Sequence, residues 1–494
     1  MRTAAAVRPR RLPSPGRLPG LGRLQSVRSL PRERRLPRLP SPRRLPRLVV
    51  PLLVAALLLP AASPAFPAGA RTIAAALERL TAIEPGSVDR TSLEIEARYD
   101  VAARLSFGDR TLRADVEIEL VNRSDDPIDR VELNTIAARL GALRLGGVTV
   151  DGTTVDPTVD DQTVVVPLGG TLAPDAGATV RIAFSARLRS DLRGSNWMFT
   201  RVNGIASLYR WIPWVSRRTP FDRPNFGDPF VTPASPLISV RLTTDRALDV
   251  AATGERVGGS DDGRTHVFRA ENVRDFILTA AADYRERRDR VNGTLVRAWS
   301  RASGQGPAML TAARTALRRM EALVGPYPWS ELDVAQSSGR FGMEGPGIVW
   351  IPTGVDPGTI PYLVAHEVAH EWFYGLVGSD QAREPFADEA AADFLARYVL
   401  GARRGSRCSP QPLDRSIYRY GSACYYEIVY IQGGNVLDDI RRRMGTTRFF
   451  GALRTYLEAN RFGIAGTRTL LDTLDAATSL DLRARYASRF PSLD

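Results

Sequence analysis

Apolar and polar residues alternate repeatedly between residues 94 and 288, with the two-residue period of half-buried β-strands. Val116, Ile118 and Leu120 alternate with acidic residues, and residues 180–186 repeat this pattern. Further strands are predicted at residues 237–243, 266–270 and 276–281, with Gly-rich and Asp-rich turns at residues 145–153 and 155–162. The pattern predicts a largely antiparallel β domain.

The spacing of the apolar residues changes after residue 288. A strand is predicted at residues 294–300, and Leu310, Leu317 and Val324 then share one face of a helix. Further helices are predicted at residues 360–376, 386–400, 433–443 and 447–460, and a short one from about residue 71 to residue 83. We therefore expect an α+β chain with a β domain at residues 71–288 and a mainly helical domain at residues 289–494.

The first 70 residues form an Arg-rich and Pro-rich leader. Residues 1–47 carry 14 Arg and a single acid, Glu33, and an uncharged apolar run follows at residues 48–59. A segment rich in small residues then ends at Ala70, and a secretory signal peptide is predicted to be cleaved after Ala70. The leader predicts a secreted or cell-envelope protein, and an uncleaved signal anchor would be its contact with a membrane.

The charge of the chain is concentrated in this leader. The formal net charge is +13, but residues 48–494 carry 53 basic and 53 acidic residues. Because the folded part is neutral, the sequence does not predict a nucleic-acid partner. Every basic residue is Arg, and the absence of Lys is typical of a GC-rich bacterial genome.

The chain has two cysteines, Cys408 and Cys424. In an exported protein they predict a disulfide, and closing the loop between them is worth about 3 kcal/mol in the loop-entropy description. The alternative is a pair of free thiols in a reducing cytoplasm. No CxxC spacing is present, which argues against metal binding by these residues.

Residues 366–370 read HEVAH and contain two of the three histidines in the chain. Positions i and i+4 of a helix share a face, so the His366 and His370 imidazoles can bind one metal ion. Glu367 projects nearby, where it could hold a water molecule. The third histidine, His266, lies on a predicted strand and is interpreted as structural.

Catalytic zinc needs three protein ligands and an open fourth position. Glu389 lies 19 residues beyond His370 on the next predicted helix, where it can supply the third ligand. Asp393, one turn later, is predicted to accept the second N–H of a zinc-bound histidine. The alternative for Glu389 is an exposed acid at a helix start, beside Asp388.

These motifs resemble the zinc aminopeptidases of the aminopeptidase N type, a gluzincin metallopeptidase family. The resemblance covers most of residues 95–494, including HEVAH followed after eighteen residues by Glu389, and the segments 325–329 (GPYPW), 342–347 (GMEGPG) and 430–434 (YIQGG). It implies a saddle-like β domain followed by a thermolysin-like catalytic domain. It also implies one zinc ion per chain, bound by His366, His370 and Glu389.

The resemblance assigns a role to each remaining site residue. Glu367 would be the general base, and Tyr430 would donate to the developing oxyanion. Glu344 would bind the free α-amino group of a peptide, and Gly342 and Met343 would line the substrate cleft with it. The resemblance thus implies a peptidase that removes residues from the amino terminus of peptide substrates.

The sequence departs from the family pattern at several points. Gly345 replaces the usual Asn, Ile431 and Gln432 replace the usual Glu-Lys pair, and residues 209–214 lack the usual acid or amide that helps to bind the amino terminus. Only 64 residues follow Tyr430, so we expect no large helical C-terminal domain and a more open cleft.

Three alternatives to an exported zinc aminopeptidase stay open. One is a zinc endopeptidase or oligopeptidase, since HEVAH with Glu389 and Asp393 also suits thermolysin-like proteases. Another is a non-catalytic binding protein that keeps a zinc site. The third is a membrane-surface or nucleic-acid binder whose binding comes from the Arg-rich leader.

Overall fold

The structure is a computed structural model that describes residues 82–301 and 304–493. The predicted leader, its cleavage site after Ala70 and nearly all of the predicted helix at residues 71–83 lie outside the described residues. Among the described residues, every helix is too short or too polar to cross a lipid bilayer.

The β-rich domain contains an eight-stranded sheet and two smaller sheets within the described part of the chain. In chain order, its strands are β1 (Ile83–Glu84), β2 (Ile95–Ser106), β3 (Thr111–Asn122), β4 (Ile128–Asn134), β5 (Arg144–Val150), β6 (Thr153–Thr154), β7 (Thr158–Asp160), β8 (Thr163–Leu172), β9 (Gly177–Arg187), β10 (Phe199–Val202), β11 (Ile205–Leu208), β12 (Trp214–Val215), β13 (Ile238–Thr244), β14 (Asp249–Ala252), β15 (Glu255–Gly259), β16 (Thr265–Ala270) and β17 (Leu278–Ala281). One short α-helix, α1 (Ile136–Leu140), and a 3-10 helix, Asn196–Met198, lie between them.

The eight-stranded sheet has the order β15-β16-β13-β2-β3-β9-β5-β6. All its neighbouring strands are antiparallel except β13 and β2, which are parallel. The predicted alternation is confirmed in β3, where Val116, Ile118 and Leu120 are buried. The predicted turns at residues 145–153 and 155–162 are confirmed only at residues 151–152 and 161–162, because β5, β6 and β7 occupy much of both segments. A register shift between Leu145 and Val148 accommodates the glycines of β5, so Val148 still pairs with β9 and is buried.

The helical part begins with a second mixed sheet. Its strands are β18 (Arg285–Val291), β19 (Thr294–Ser300), β20 (Glu331–Ser337) and β21 (Ile348–Pro352). β18 starts before the predicted domain boundary at residue 289 because it pairs antiparallel with β19. The strands β19, β20 and β21 are parallel to each other.

Seven α-helices follow β19 in the described residues, and two π-helical turns interrupt them. The helices are α2 (Gly306–Val324), α3 (Ile360–Ala369), α4 (Ala391–Leu400), α5 (Gly433–Met444), α6 (Thr446–Ala459), α7 (Thr467–Ala476) and α8 (Leu482–Tyr486). The π-helical turns are Phe386–Ala390, directly before α4, and Glu427–Gln432, directly before α5. The apolar face of α2 and the buried side chains of β19–β21, α3 and α4 form one continuous core.

Helix α3 is shorter than predicted and ends at Ala369 rather than at residue 376. Tyr374 has a φ of 137°, which no helical residue can adopt. The guanidinium of Arg274, from the β-rich domain, donates to the carbonyl oxygens of Gly375 and Leu376 at 3.2 and 3.4 Å. A contact from the β-rich domain therefore fixes the turn that ends helix α3. The spacing of apolar residues within α3 could not reveal this contact.

The predicted disulfide between Cys408 and Cys424 is confirmed. The loop that it closes connects α4 to the π-helical turn Glu427–Gln432. The Glu427 carboxylate accepts backbone N–H groups from Arg407 and Cys408, and Asn225 of the β-rich domain donates to the carbonyl oxygens of Ile417 and Tyr420. The loop is thus anchored at both ends and against the other domain.

Candidate metal centre and cleft

Three ligand atoms meet where α3 faces the π-helical turn Phe386–Ala390. The Nε2 atoms of His366 and His370 lie 3.2 Å apart. The Oε2 atom of Glu389 lies 3.3 Å from the first and 3.4 Å from the second. All three side chains are buried, so the structure brings together the three residues that the sequence predicted as ligands.

This arrangement fits a zinc ion. Three donors at about 2.0–2.1 Å from one zinc ion in tetrahedral geometry lie roughly 3.3–3.4 Å from each other, as these atoms do. Glu389 Oε2 is buried and receives no hydrogen bond from the described residues. Burial raises the pKa of Glu389, but the interactions with His366 and His370 have a larger opposite effect and hold this pKa well below its usual range. The Glu389 carboxylate therefore stays ionised.

The second nitrogen of His370 is held by Asp388. His370 Nδ1 lies 2.7 Å from Asp388 Oδ1 and 3.0 Å from the carbonyl oxygen of Phe373, so Nε2 is left to face the ligand site. Burial alone would lower the pKa of His370, but Asp388 and Glu389 raise it well above its usual value. Asp388 therefore makes the contact with a histidine that was predicted for Asp393.

The prediction that Asp393 orients a ligand histidine is wrong. Its carboxylate accepts a hydrogen bond from the Tyr362 hydroxyl and forms an ion pair with Arg397 at 2.7 Å. The Nδ1 atom of His366 has no hydrogen-bond partner among the described residues. Glu389 belongs to a π-helical turn and Asp393 to the α-helix after it, where the Asp393 carboxylate is engaged by Tyr362 and Arg397.

Glu367 lies on α3 between the two histidines, with its carboxyl group against the backbone of Gly342. A Cβ atom added to Gly342 would lie 2.0 Å from Glu367 Oε1, so only glycine allows this close approach. Carboxylate oxygens of Glu367 and Glu344 and a nitrogen of His370 all lie within 4.8 Å of one another. Burial raises the pKa of Glu367 well above its usual value, as is typical of a group that must accept a proton near neutral pH.

Glu344 is buried beside Glu367 in the same cleft. Its Oε1 atom accepts hydrogen bonds from Gln381 Nε2 at 3.0 Å and from the Tyr209 hydroxyl at 3.4 Å. Burial raises its pKa to about 7. Its neighbour Met343 exchanges two backbone hydrogen bonds with Trp350 of β21, so the segment extends the sheet, while the Met343 side chain lies in the hydrophobic core.

Tyr430 reaches the metal centre from the second π-helical turn. Its hydroxyl donates to Glu389 Oε1 at 2.5 Å, and its ring stacks on that of His366 with 5.5 Å between centroids. The two π-helical turns approach closely at Gly433, where an added Cβ would lie 2.5 Å from that of Ala390. The third histidine, His266, is buried in β16 with Nε2 3.1 Å from the carbonyl oxygen of Gly263, in agreement with a structural role.

The sequence analysis missed a buried acid of the β-rich domain, Asp228, whose carboxyl group interacts electrostatically with Glu344 and Glu389. It is buried, and Gly227 beside it packs against the Tyr425 hydroxyl. Burial and the negative charges of Glu344 and Glu389 raise its pKa well above its usual value. Arg223 lowers the pKa of Asp228, but the Arg223 guanidinium donates its hydrogen bonds to backbone carbonyls. Asp228 therefore forms no ion pair within residues 82–301 and 304–493.

A scan of the sequence against protein-family models finds no match. Among solved structures, the chain is similar to an M1 zinc metallopeptidase mutant from Deinococcus radiodurans, with 18% identity, a TM-score of 0.62, and coverage of 83% of this chain and 96% of that chain. The same mutant protein bound to a Tyr-Ser-Ala substrate matches with 17% identity, a TM-score of 0.61 and the same coverage. A two-domain M1 zinc metallopeptidase mutant bound to L-arginine matches with 18% identity and a TM-score of 0.59, over 78% of this chain and 91% of that chain.

Proposed function

We propose that this chain, which has the fold of the M1 zinc metallopeptidases, is an exported zinc-dependent aminopeptidase. The observation that carries the proposal is one buried cleft in which the set His366, His370 and Glu389 adjoins both Glu367 and Glu344. A purely structural zinc site needs neither a general base nor a carboxylate for a substrate amine. Peptide substrates are further supported by the similar protein that was solved with a bound tripeptide.

Each side chain has a defined task in peptide hydrolysis. Zinc, when bound by the three ligands, would lower the pKa of a water molecule to about 7 and polarise the peptide carbonyl. Glu367 accepts the proton of the attacking water and delivers it to the leaving amine. The Tyr430 hydroxyl donates to the carbonyl oxygen as negative charge develops there. Glu344 and Asp228 bind the α-ammonium group, so the first peptide bond is placed at the metal.

The test compares matched peptides with a free and an acetylated amino terminus. We expect the zinc-loaded protein to release the first residue of the free peptide and to leave the acetylated peptide intact. Removing zinc with a chelator should abolish the activity, and adding zinc back should restore it. Cleavage of both peptides would show an endopeptidase, and no cleavage by folded, zinc-loaded protein would argue for a binding role.

Replacing Asp228 with Asn should raise KM for free-amine peptides by roughly tenfold or more, because a hydrogen bond to a charged group is worth about 1.5–3 kcal/mol. We expect kcat to change much less, since Asp228 would hold the ammonium and not the reacting atoms. Asp222→Asn is the matched control, because Asp222 lies on the same segment with its side chain exposed. An unchanged KM in Asp228→Asn would exclude Asp228 from the binding of the amino terminus.

Export is the part of the proposal that rests on the leader and on the disulfide. Arg-rich, apolar and small-residue segments follow one another in residues 1–70, and disulfides persist in oxidising compartments. Intact-mass measurement on protein from the native cells should find a chain that begins at Arg71, with Cys408 and Cys424 oxidised, outside the cytoplasm. A cytoplasmic chain with residues 1–70 retained and both thiols reduced would contradict export.

A further inference from the structure

A buried arginine of the β-rich domain, Arg210, is joined to the metal centre by a continuous chain of hydrogen bonds. Its Nη2 atom donates to Gln381 Oε1 at 3.2 Å. Gln381 Nε2 donates to Glu344 Oε1 at 3.0 Å and to Asp388 Oδ2 at 2.7 Å. Asp388 Oδ1 then holds His370 Nδ1 at 2.7 Å. One amide group thus connects the carboxylate for the substrate amine with a ligand of the metal.

Arg210 determines which way this amide points. A guanidinium has only donors, so the Gln381 oxygen must face Arg210. Both N–H bonds of the amide are then directed at the carboxylates of Glu344 and Asp388, which are acceptors when ionised. Turning the amide over would place its oxygen between two carboxylates and lose three favourable contacts.

The guanidinium itself is held tightly. It is buried, donates to the Thr232 and Tyr374 hydroxyls at 3.3 and 3.1 Å, and lies 4.2 Å from the ring centroid of Phe230. The nearest acid in an ion pair with it, Asp275, is 3.8 Å away. A buried cation with so loose an ion pair is costly, which indicates that stability alone does not account for it.

The backbone is strained at both residues of the hydrogen bond between Arg210 and Tyr374. Arg210 has a φ of 40° and Tyr374 a φ of 137°, although neither residue is glycine. Such conformations persist when the surroundings impose them, and they concentrate at functional sites. Here they aim the Arg210 side chain at Gln381 and place the Tyr374 hydroxyl against it.

We propose that Arg210 is a positioning residue that acts through Gln381 on two groups at once. It holds the Glu344 carboxylate in place for the substrate's ammonium group, and it holds the Asp388–His370 pair in place for the metal. The effect on substrate binding rests on the proposed function, whereas the effect on metal affinity does not. Loss of the shared amide should therefore weaken both kinds of binding and change kcat little.

The test measures KM and kcat for a free-amine peptide and, separately, the zinc dissociation constant by competition with a chromophoric chelator. Gln381→Met keeps the side-chain length and removes the hydrogen bonds. We expect a KM about tenfold higher, a zinc dissociation constant roughly 10–100-fold higher, and a nearly unchanged kcat at saturating zinc and peptide. Arg210→Met should act in the same direction, and the double variant should be no worse than the more impaired single variant, because the two residues act in one chain.

Arg217→Met is the matched control, since Arg217 pairs with Asp380 next to Gln381 but touches neither carboxylate of the chain. It should leave KM and zinc affinity unchanged. If Arg210→Met does not fold, Arg210→Lys retains the buried charge and should still raise both constants.

Wild-type KM and zinc affinity in Gln381→Met, a change in kcat alone, or additive effects of the two variants would overturn the proposal. If the protein cleaves no peptide, the zinc measurement alone decides, so failure of the proposed function is distinguished from failure of this inference.

Discussion

Replacing Glu367 with Gln should lower kcat for peptide hydrolysis by about 10²–10⁴-fold, the usual contribution of a general acid–base group. Gln has nearly the same shape and fits against Gly342, but it cannot accept the proton of the attacking water. The ligands His366, His370 and Glu389 are unchanged, so zinc content and KM should stay close to those of the wild type. Steady-state kinetics together with metal analysis of the purified variant measures both.

Glu371→Gln is the control for this substitution. Glu371 is also buried, just beyond the end of α3, and burial raises its pKa to about 8. Its Oε2 atom accepts the Gly347 N–H at 3.0 Å, which an amide oxygen can also do. We expect near wild-type turnover from this variant. A fully active, zinc-loaded Glu367→Gln protein would show that another group is the base.

The three candidate metal ligands could be predicted to lie together because their signal is local. His366 and His370 are four residues apart on one helix, so their shared face follows from helix geometry alone. Glu389 was assigned from its spacing, and the structure places it with both histidines. Strand alternation was equally local, and it located β3, β9, β13 and β16 within a few residues.

The residues that surround the ligands could not be predicted in the same way. Asp228, Arg210 and Gln381 belong to irregular segments, and Arg210 and Gln381 meet across 171 positions of sequence. No periodicity connects such residues, because the tertiary fold alone brings them together. The available signals were an acid in the Gly- and Pro-containing segment 224–229 and an amide between HEVAH and Glu389, but neither has a fixed spacing.

Two π-helical turns carry side chains of the candidate metal centre. Sequence patterns assume 3.6 residues per turn, and a π-helical turn changes the direction in which the side chains after it point. Both Glu389 and Tyr430 lie in such turns, which are frequent at functional sites. Asp393 was chosen as the partner of a ligand histidine because it lies one predicted turn after Glu389. In the structure, Asp388, which directly precedes Glu389, contacts His370 Nδ1 instead.

Replacing Tyr430 with Phe should lower kcat by about 10²–10³-fold, the typical loss when one donor to a developing oxyanion is removed. The ring would still stack on His366, so the shape of the centre should be preserved. The hydroxyl donates to Glu389 Oε1, so it lies at the edge of the ligand set. Since the donor acts on charge that develops in the transition state, KM should change little.

Two neighbouring tyrosines make this prediction specific. Tyr425 and Tyr426 pack against Tyr430 with ring centroids 6.0 and 4.7 Å away. The Tyr425 hydroxyl is buried with no hydrogen-bond partner among the described residues, and that of Tyr426 contacts the Tyr362 hydroxyl. Tyr425→Phe and Tyr426→Phe should therefore keep near wild-type kcat. If Tyr425→Phe loses activity and Tyr430→Phe does not, the oxyanion donor is Tyr425, and the hydroxyl bonded to Glu389 serves only to hold that ligand.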